Sequence, residues 1–253
     1  MFRYKTLISA GLLLALVTPF TQVTAAQNIK DVITAAIADP ARPDSDREQD
    51  ADRKSQQVLE FSGVKPGDRV ADFVPGRGYV TRLFAKIVGK DGHVYAVIPD
   101  ELPNRMVASS QELADDPTYG NISVVRGPVN DFKTPEKLDL VWTSMNYHDL
   151  HDAFFGPADL GKVNKAIFNA LKPGGIYLVL DHAAAAGSGL RDTDTLHRID
   201  PETVKQEVEA AGFRLEAESG VLKNPGDDHT MKVFNPAIRG KTDKFVYKFR
   251  KPM

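Results

Sequence analysis

From Val64 onward, the hydrophobic positions of the chain alternate between two spacings. Short apolar runs of strand length are separated by longer segments in which apolar residues recur with the period of a helix. The runs predict strands at residues 69–74, 93–98, 122–126, 138–144 and 176–181. Strands that alternate with helices are typical of a parallel sheet covered by helices on both faces.

The segments between these runs predict helices at residues 80–88, 105–114 and 160–171. A further helix is indicated by its boundary residues, because Asp200 suits an N-cap, Pro201 suits the first helical position and Gly212 follows the end. The last two predicted strands, at 214–221 and 244–250, have no helix between them. We therefore expect them to form an antiparallel hairpin.

Two helices are also predicted before the sheet, one at 29–38 and one ending near residue 62. The charged segment between them, residues 39–54, is interpreted as a solvated loop. The long connection 222–243 is rich in Gly, Pro, Asn and Asp. Connections of this length in compact domains are often lids or binding loops.

The first residues have the order of a secretory signal peptide. Arg3 and Lys5 precede an apolar run at 7–17, and small residues follow at 24–26. Because that run is shorter than the ~20 residues that span a bilayer, we expect cleavage after Ala25 or Ala26 and no stable membrane anchor. The prediction is export to the periplasm or the medium, with a signal peptide at 1–26, a helical covering segment at 27–63 and an α/β domain at 64–253.

Composition narrows the classes of function. With 253 residues, the chain suits one α/β domain, and a net charge of -2 gives no electrostatic reason to expect a nucleic-acid partner. The chain has no cysteine. Disulfides, thiolate metal sites and a cysteine nucleophile are therefore excluded.

A glycine turn follows the first predicted strand, where an open parallel sheet binds its ligands. Gly76 and Gly78 lack Cβ atoms, so the backbone can turn tightly and approach a ligand closely. Together with residues 64–72 and the Leu-Lys-Pro-Gly-Gly stretch at 171–175, this turn resembles the class I S-adenosylmethionine-dependent methyltransferases. The resemblance extends from about residue 58 to residue 250.

That resemblance implies a Rossmann-like, seven-stranded and mostly parallel sheet with helices on both faces and a C-terminal antiparallel hairpin. It also implies S-adenosylmethionine as cofactor, a small-molecule or protein methyl acceptor, and cofactor contacts from the residues at the ends of the first three strands. The Pro-Gly-Arg-Gly-Tyr turn, residues 196–200 and the C-terminal Lys-Phe-Arg-Lys-Pro further resemble an exported bacterial subgroup of predicted methyltransferases. The cofactor residues implied by position are Asp72, Gly76, Gly78, Tyr79, Asp100 and Asp131.

Three positions depart from the pattern of the family. Val74 stands where the first of three alternating glycines is usual, and Ile98 stands where an acid binds the ribose hydroxyls. Gly127-Pro128 replaces an acid near adenine. Asp100 or Glu101 is the candidate to substitute for the ribose acid, and Asn130 or Asp131 is the candidate near adenine; of these, Asp100 and Asp131 are the predicted cofactor residues. A non-catalytic exported binding protein that keeps the fold is the alternative hypothesis.

The fourth predicted strand ends in a polar sequence at the expected ligand edge. Asn146 and Tyr147 are candidates to contact the acceptor, and His148 is the candidate general base because its ordinary pKa is near neutral. A loop-fixing role for His148 remains equally open. No metal is expected, although one alternative joins the imidazoles and carboxylates of this region in a metal hydrolase site. That alternative set is His148, Asp149, His151, Asp181 and His182.

Overall fold

The sheet has seven strands in the order β3-β2-β1-β4-β5-β7-β6. From β1 the chain first adds strands on one side and then, with β4, continues on the other side, so the topological switch point lies between β1 and β4. A computed structural model describes residues 25–156 and 158–253, so the predicted signal peptide lies outside the described residues except for its last two. β1 to β5 pair in parallel, and β7 is antiparallel to both of its neighbours. The predicted fold class is confirmed. The strands are β1 Arg69–Phe73, β2 His93–Pro99, β3 Ile122–Gly127, β4 Leu138–Ser144, β5 Leu171–His182, β6 Arg214–Ser219 and β7 Lys244–Arg250.

Helices cover both faces of the sheet. One face packs against α1, α4 and α5, and the other packs against α7 and α9. The α-helices are α1 Ala25–Ile37, α2 Asp44–Arg47, α3 Asp50–Arg53, α4 Ser55–Ser62, α5 Tyr79–Val88, α6 Asn104–Asp115, α7 Leu160–Ala170, α8 Thr193–Leu196 and α9 Pro201–Ala210. Within the ranges that the structure describes, none is both long and apolar enough to cross a membrane.

Most predicted elements lie within a few residues of their observed bounds, because their apolar periodicity comes from burial against the sheet. The predicted helix cap is confirmed, since the Asp200 side chain accepts a hydrogen bond from the backbone N–H of Glu202. β5 begins earlier than predicted, at Leu171, and runs through the Pro-Gly-Gly stretch. The division of the chain into three parts stays a prediction.

The interpretation of residues 39–54 as a solvated loop was only partly correct, because most of the segment is exposed but two of its charged residues are buried. The segment contains α2 and α3, and both Arg42 and Asp46 are buried. Asp46 pairs with Arg82 at 2.8 Å, which fastens the segment to α5. Each buried charge has a partner, because Arg42 pairs with Asp50 within the segment and Asp46 pairs with Arg82, which is remote in sequence. A local pattern of polar residues does not reveal the second pair.

Candidate functional site

The turn after β1 lies at the carboxyl edge of the sheet, where the strand order reverses. Its alternate residues Val74, Gly76 and Gly78 have φ angles of 60°, 59° and 78°. A β-branched residue rarely adopts positive φ, so Val74 is held in a strained conformation by its surroundings. The backbone therefore keeps the form of a three-glycine turn although one glycine has been replaced.

The two glycines of this turn serve different purposes. A Cβ atom at Gly78 would lie 2.5 Å from Cδ2 of Leu113, so this glycine permits close packing against α6. A Cβ atom at Gly76 would meet nothing within 4 Å. The backbone at Gly76 consequently faces open space that a ligand can occupy.

Asp72 is directed into the fold. Its side chain is 3% exposed and accepts a 2.6 Å hydrogen bond from the hydroxyl of Thr81 in α5. Burial raises the pKa of this carboxyl to about 6, although the hydrogen bond from Thr81 opposes the shift. The described contact of Asp72 thus fastens the turn to α5.

Tyr79, the first residue of α5, joins the turn to the N-terminal helices. Its hydroxyl donates to Oδ1 of Asp50 and accepts from Oγ of Ser55, both at 2.5 Å. The guanidinium of Arg53 lies 4.3 Å from the ring centroid. Burial and the neighbouring Asp50 raise the pKa of Tyr79 to about 12, so the hydroxyl remains a donor.

A cavity of about 330 Å³ lies between these helices, the ends of β4 and β5, and the β6–β7 connection. Its wall is mainly apolar, with Leu83, Trp142 and Leu180 among the lining residues. Arg53 and Lys244 add cationic groups to the wall. Sequence patterns gave no reason to single out these two cations, because they come from opposite ends of the chain.

His182 also lines this cavity. Its Nδ1 lies 2.8 Å from Oγ1 of Thr242, and burial lowers the pKa of the imidazole to about 3. The cavity wall therefore presents His182 as a neutral ring.

Two of the predicted catalytic residues have structural contacts. Asn146 donates from Nδ2 to the carbonyl of Val74 at 3.0 Å, which holds the glycine turn to the end of β4. Tyr147 is fully buried, donates to Glu207 at 2.9 Å and accepts from Asn164 at 2.8 Å. Neither residue lines the cavity described above, and their catalytic roles stay predictions.

His148 is held by a buried carboxylate. Its Nδ1 lies 2.8 Å from Oδ1 of Asp181, while its backbone N–H donates to the other oxygen at 2.9 Å. Burial opposes a charge on the ring, but Asp181 and Asp149 outweigh that effect and raise the pKa of His148 to about 10. An imidazole that keeps its proton so firmly is a poor general base near neutral pH. These contacts favour the loop-fixing role over the catalytic one.

The acids expected at the ribose and adenine positions are paired at the surface. Asp100 pairs with Arg126 at 3.1 Å and Asp131 with Lys133 at 2.6 Å, and more than half of each carboxylate side chain is exposed. Ile98 is buried at the end of β2. The residues present therefore fit the methionine end of S-adenosylmethionine at the Gly76 backbone, and they offer no buried acid at the ribose end.

Comparisons with known proteins agree with the fold. The profile of the ubiE/COQ5 methyltransferase family matches residues 49–196. The ubiquinone/menaquinone biosynthesis C-methyltransferase UbiE of Vibrio cholerae is 28% identical over 181 residues, which cover 69% of this chain and 65% of that protein. UbiE of Teredinibacter turnerae is 28% identical over 179 residues, which cover 69% of this chain and 68% of that protein. The chain thus spans about two thirds of the length of these relatives.

Solved structures give the same architecture. A SAM-dependent methyltransferase from Aquifex aeolicus has a TM-score of 0.56 and 20% identity, covering 89% of this chain and 97% of its own. The [4+2]-cyclase SpnF has a TM-score of 0.60 and 17% identity, covering 91% and 97%. Because one fold carries differently named activities, the reaction has to be argued from the site.

Proposed function

Because the chain belongs to the ubiE/COQ5 methyltransferase family, we propose that it is an S-adenosylmethionine-dependent methyltransferase whose acceptor is a small, largely apolar molecule. The family match and the fold support this proposal. The observation that carries the proposal is the 330 Å³ cavity, whose wall includes the first residues of α5 after the glycine turn. A mainly apolar cavity of this size favours a small acceptor over a protein surface.

S-adenosylmethionine, when bound, supplies an electrophilic methyl group. In this chain the backbone around Gly76 would hold the methionine end, since a Cβ there would point into open space. The apolar residues Leu83 and Leu180 would bind the acceptor by excluding water, and Lys244 would interact with an oxygen of the acceptor. The protein's own contribution is therefore to position the acceptor in a mainly apolar site.

Calorimetric titration of the mature protein with S-adenosylmethionine and S-adenosylhomocysteine tests the proposal. We expect one molar equivalent to bind and to raise the melting temperature. Gly76→Ala should weaken binding because its methyl group enters the ligand space, whereas Gly120→Ala is the control, since a Cβ there also meets nothing within 4 Å but φ is -62°. Absence of heat and of thermal stabilisation at millimolar ligand would reject the proposal.

The alternative is an exported binding protein without methyltransferase activity. Buried Ile98 and the surface ion pairs of Asp100 and Asp131 favour it, because they leave the ribose hydroxyls without the acid of the family. The same titration separates the two hypotheses. A protein that binds apolar ligands next to Trp142, its single tryptophan, but neither cofactor form supports the alternative.

A further inference from the structure

Three side chains meet beside the cavity in a group that we term the His–Asp–His cluster: His148, Asp149 and His197. Nε2 of His148 lies 3.1 Å from Oδ1 of Asp149 and 3.3 Å from Nδ1 of His197. Nδ1 of His197 lies 3.4 Å from the same oxygen of Asp149. The three atoms thus form a nearly equilateral triangle.

This triangle has the dimensions of one face of a zinc tetrahedron. Nitrogen and oxygen ligands lie about 2.0–2.2 Å from zinc, which places neighbouring ligand atoms about 3.3 Å apart. Two imidazole nitrogens and a carboxylate oxygen are also a donor set that zinc binds. A bound cation would take the place of the proton that His148 otherwise keeps on Nε2, because a ligating nitrogen must be deprotonated. We propose that the His–Asp–His cluster binds a zinc-type divalent cation.

The surroundings of the cluster orient its ligands. Asp181, which is fully buried, lies 2.8 Å from Nδ1 of His148 and leaves Nε2 directed towards the other two residues. A carboxylate that holds the distal nitrogen of a ligating histidine is the usual outer partner in zinc sites. His197 ends α8 with a φ of 55°, which turns the chain so that its ring meets His148.

The cluster is open on one side. The side chains of Asp149 and His197 are 25% and 23% exposed, whereas that of His148 is 3% exposed. Three protein ligands with an accessible fourth position are typical of zinc sites that bind water or a substrate oxygen. Phe234, which lines the cavity, lies 4.9 Å from the ring of His197. The cation would therefore lie at the margin of the acceptor cavity.

The alternative ligand set inferred from residue types in the sequence was different, because it joined His148 and Asp149 with His151, Asp181 and His182. His151 instead lies 3.2 Å from Glu207, and His182 contacts Thr242. His197 is remote in sequence from His148 and Asp149, so no local motif joins it to them. The inference rests on the geometry of the cluster and does not depend on methyl transfer.

Zinc titration of the full chain, purified and then dialysed against a chelator, provides the test. We expect one zinc ion per chain with a Kd below about 10 µM. Replacement by Co²⁺ should give the intense visible absorption of a tetrahedral site. His197→Asn should weaken zinc binding by at least about 100-fold, more than is usual for loss of an outer partner.

Asparagine is chosen because it tolerates positive φ, so the backbone at residue 197 is preserved while the imidazole is removed. His93→Asn is the matched control, because His93 lies in β2 and contacts Ser123. Circular dichroism and urea unfolding establish that both variants are folded. The proposal fails if the unmodified protein binds no zinc at 100 µM, a level about tenfold above the expected Kd, or if folded His197→Asn binds as tightly as His93→Asn.

Discussion

At the scale of single residues, backbone conformation around the glycine turn determines which substitutions the site tolerates. Val74 has a positive φ, which is usual for glycine and rare for valine. The side chain of Asn146, just after the end of β4, donates a hydrogen bond to the backbone carbonyl of Val74. The surrounding contacts thus impose the shape of the turn on a residue that disfavours it. The missing glycine is therefore weaker evidence against a ligand site than the sequence suggested.

Gly78→Ala should destabilise the protein by at least about 2 kcal/mol, because the residue has positive φ and its new methyl group would clash with Leu113. Urea unfolding followed by circular dichroism measures the change. The control Gly120→Ala should alter the free energy of unfolding by less than about 0.5 kcal/mol. Equal stability of the two variants would show that Leu113 moves freely away.

The raised pKa of the buried Asp72 carboxyl can be tested by comparing how the stability of the unmodified protein and of Asp72→Asn depends on pH. The pKa of Asp72 is raised from 3.8 to about 6 in the folded protein, so folding binds a proton between these values. The stability of the unmodified protein relative to Asp72→Asn should therefore fall by about 3 kcal/mol as pH rises from about 4 to 6, and then level off. Urea unfolding at each pH measures it, and exposed Asp91→Asn should show no such trend.

At the scale of elements, the β6–β7 connection is held by an internal ion pair. Arg198 donates to both oxygens of Asp227, at 2.9 and 3.0 Å, and neither side chain is exposed. The backbone N–H groups of His229 and Asp243 donate to the same carboxylate. Arg198 therefore positions this wall of the cavity.

Asp227→Asn should lower the free energy of unfolding by about 3–5 kcal/mol, since it leaves the buried guanidinium of Arg198 unpaired. Amides of residues 222–243 should also exchange with solvent faster, which hydrogen-exchange mass spectrometry measures. Its neighbour Asp228 is exposed and contacts only Thr230 among the hydrogen-bond partners described. Asp228→Asn should therefore change neither quantity appreciably, and similar effects of both variants would contradict the assignment.

Sequence reasoning predicted the elements and their order because apolar periodicity records which face of a strand or helix is buried. It predicted the glycine turn and the Asp200 cap from the conformational preferences of individual residues, which are also local. The pairs Arg198–Asp227 and Asp46–Arg82 could not be predicted, because each joins segments that only the folded chain brings together. The residues of the glycine turn and of the end of β4 lie at the carboxyl edge of the sheet, where the sequence placed them, and their roles towards cofactor and acceptor stay predictions.

At the scale of the whole molecule, the N-terminal sequence bears on where the protein works. We propose that the protein is exported, on the basis of the basic residues, the apolar run at 7–17 and the small residues at 24–26. The absence of cysteine is compatible with an oxidising compartment.

Replacement of Leu13 and Leu14 by Asp should abolish export, because two charges interrupt the apolar run that the secretion machinery requires. Cell fractionation and immunoblotting should then show an unprocessed precursor in the cytosol. Thr6→Ser is a suitable control, because Thr6 precedes the apolar run at 7–17 and its replacement leaves that run intact. Normal processing of the double Asp variant would contradict the proposal.

The cavity is walled by segments from both ends of the chain, since Arg53 comes from α3 and Lys244 begins β7. A molecule bound in the cavity would contact both segments at once. It would therefore stabilise their packing against each other, because its contacts are lost when either segment leaves the cavity wall. Occupancy should thus be linked thermodynamically to the docking of α3 and α4, and ligand should slow proteolysis at residues 39–54. A protease assay could then rank acceptors before any product of the reaction is known.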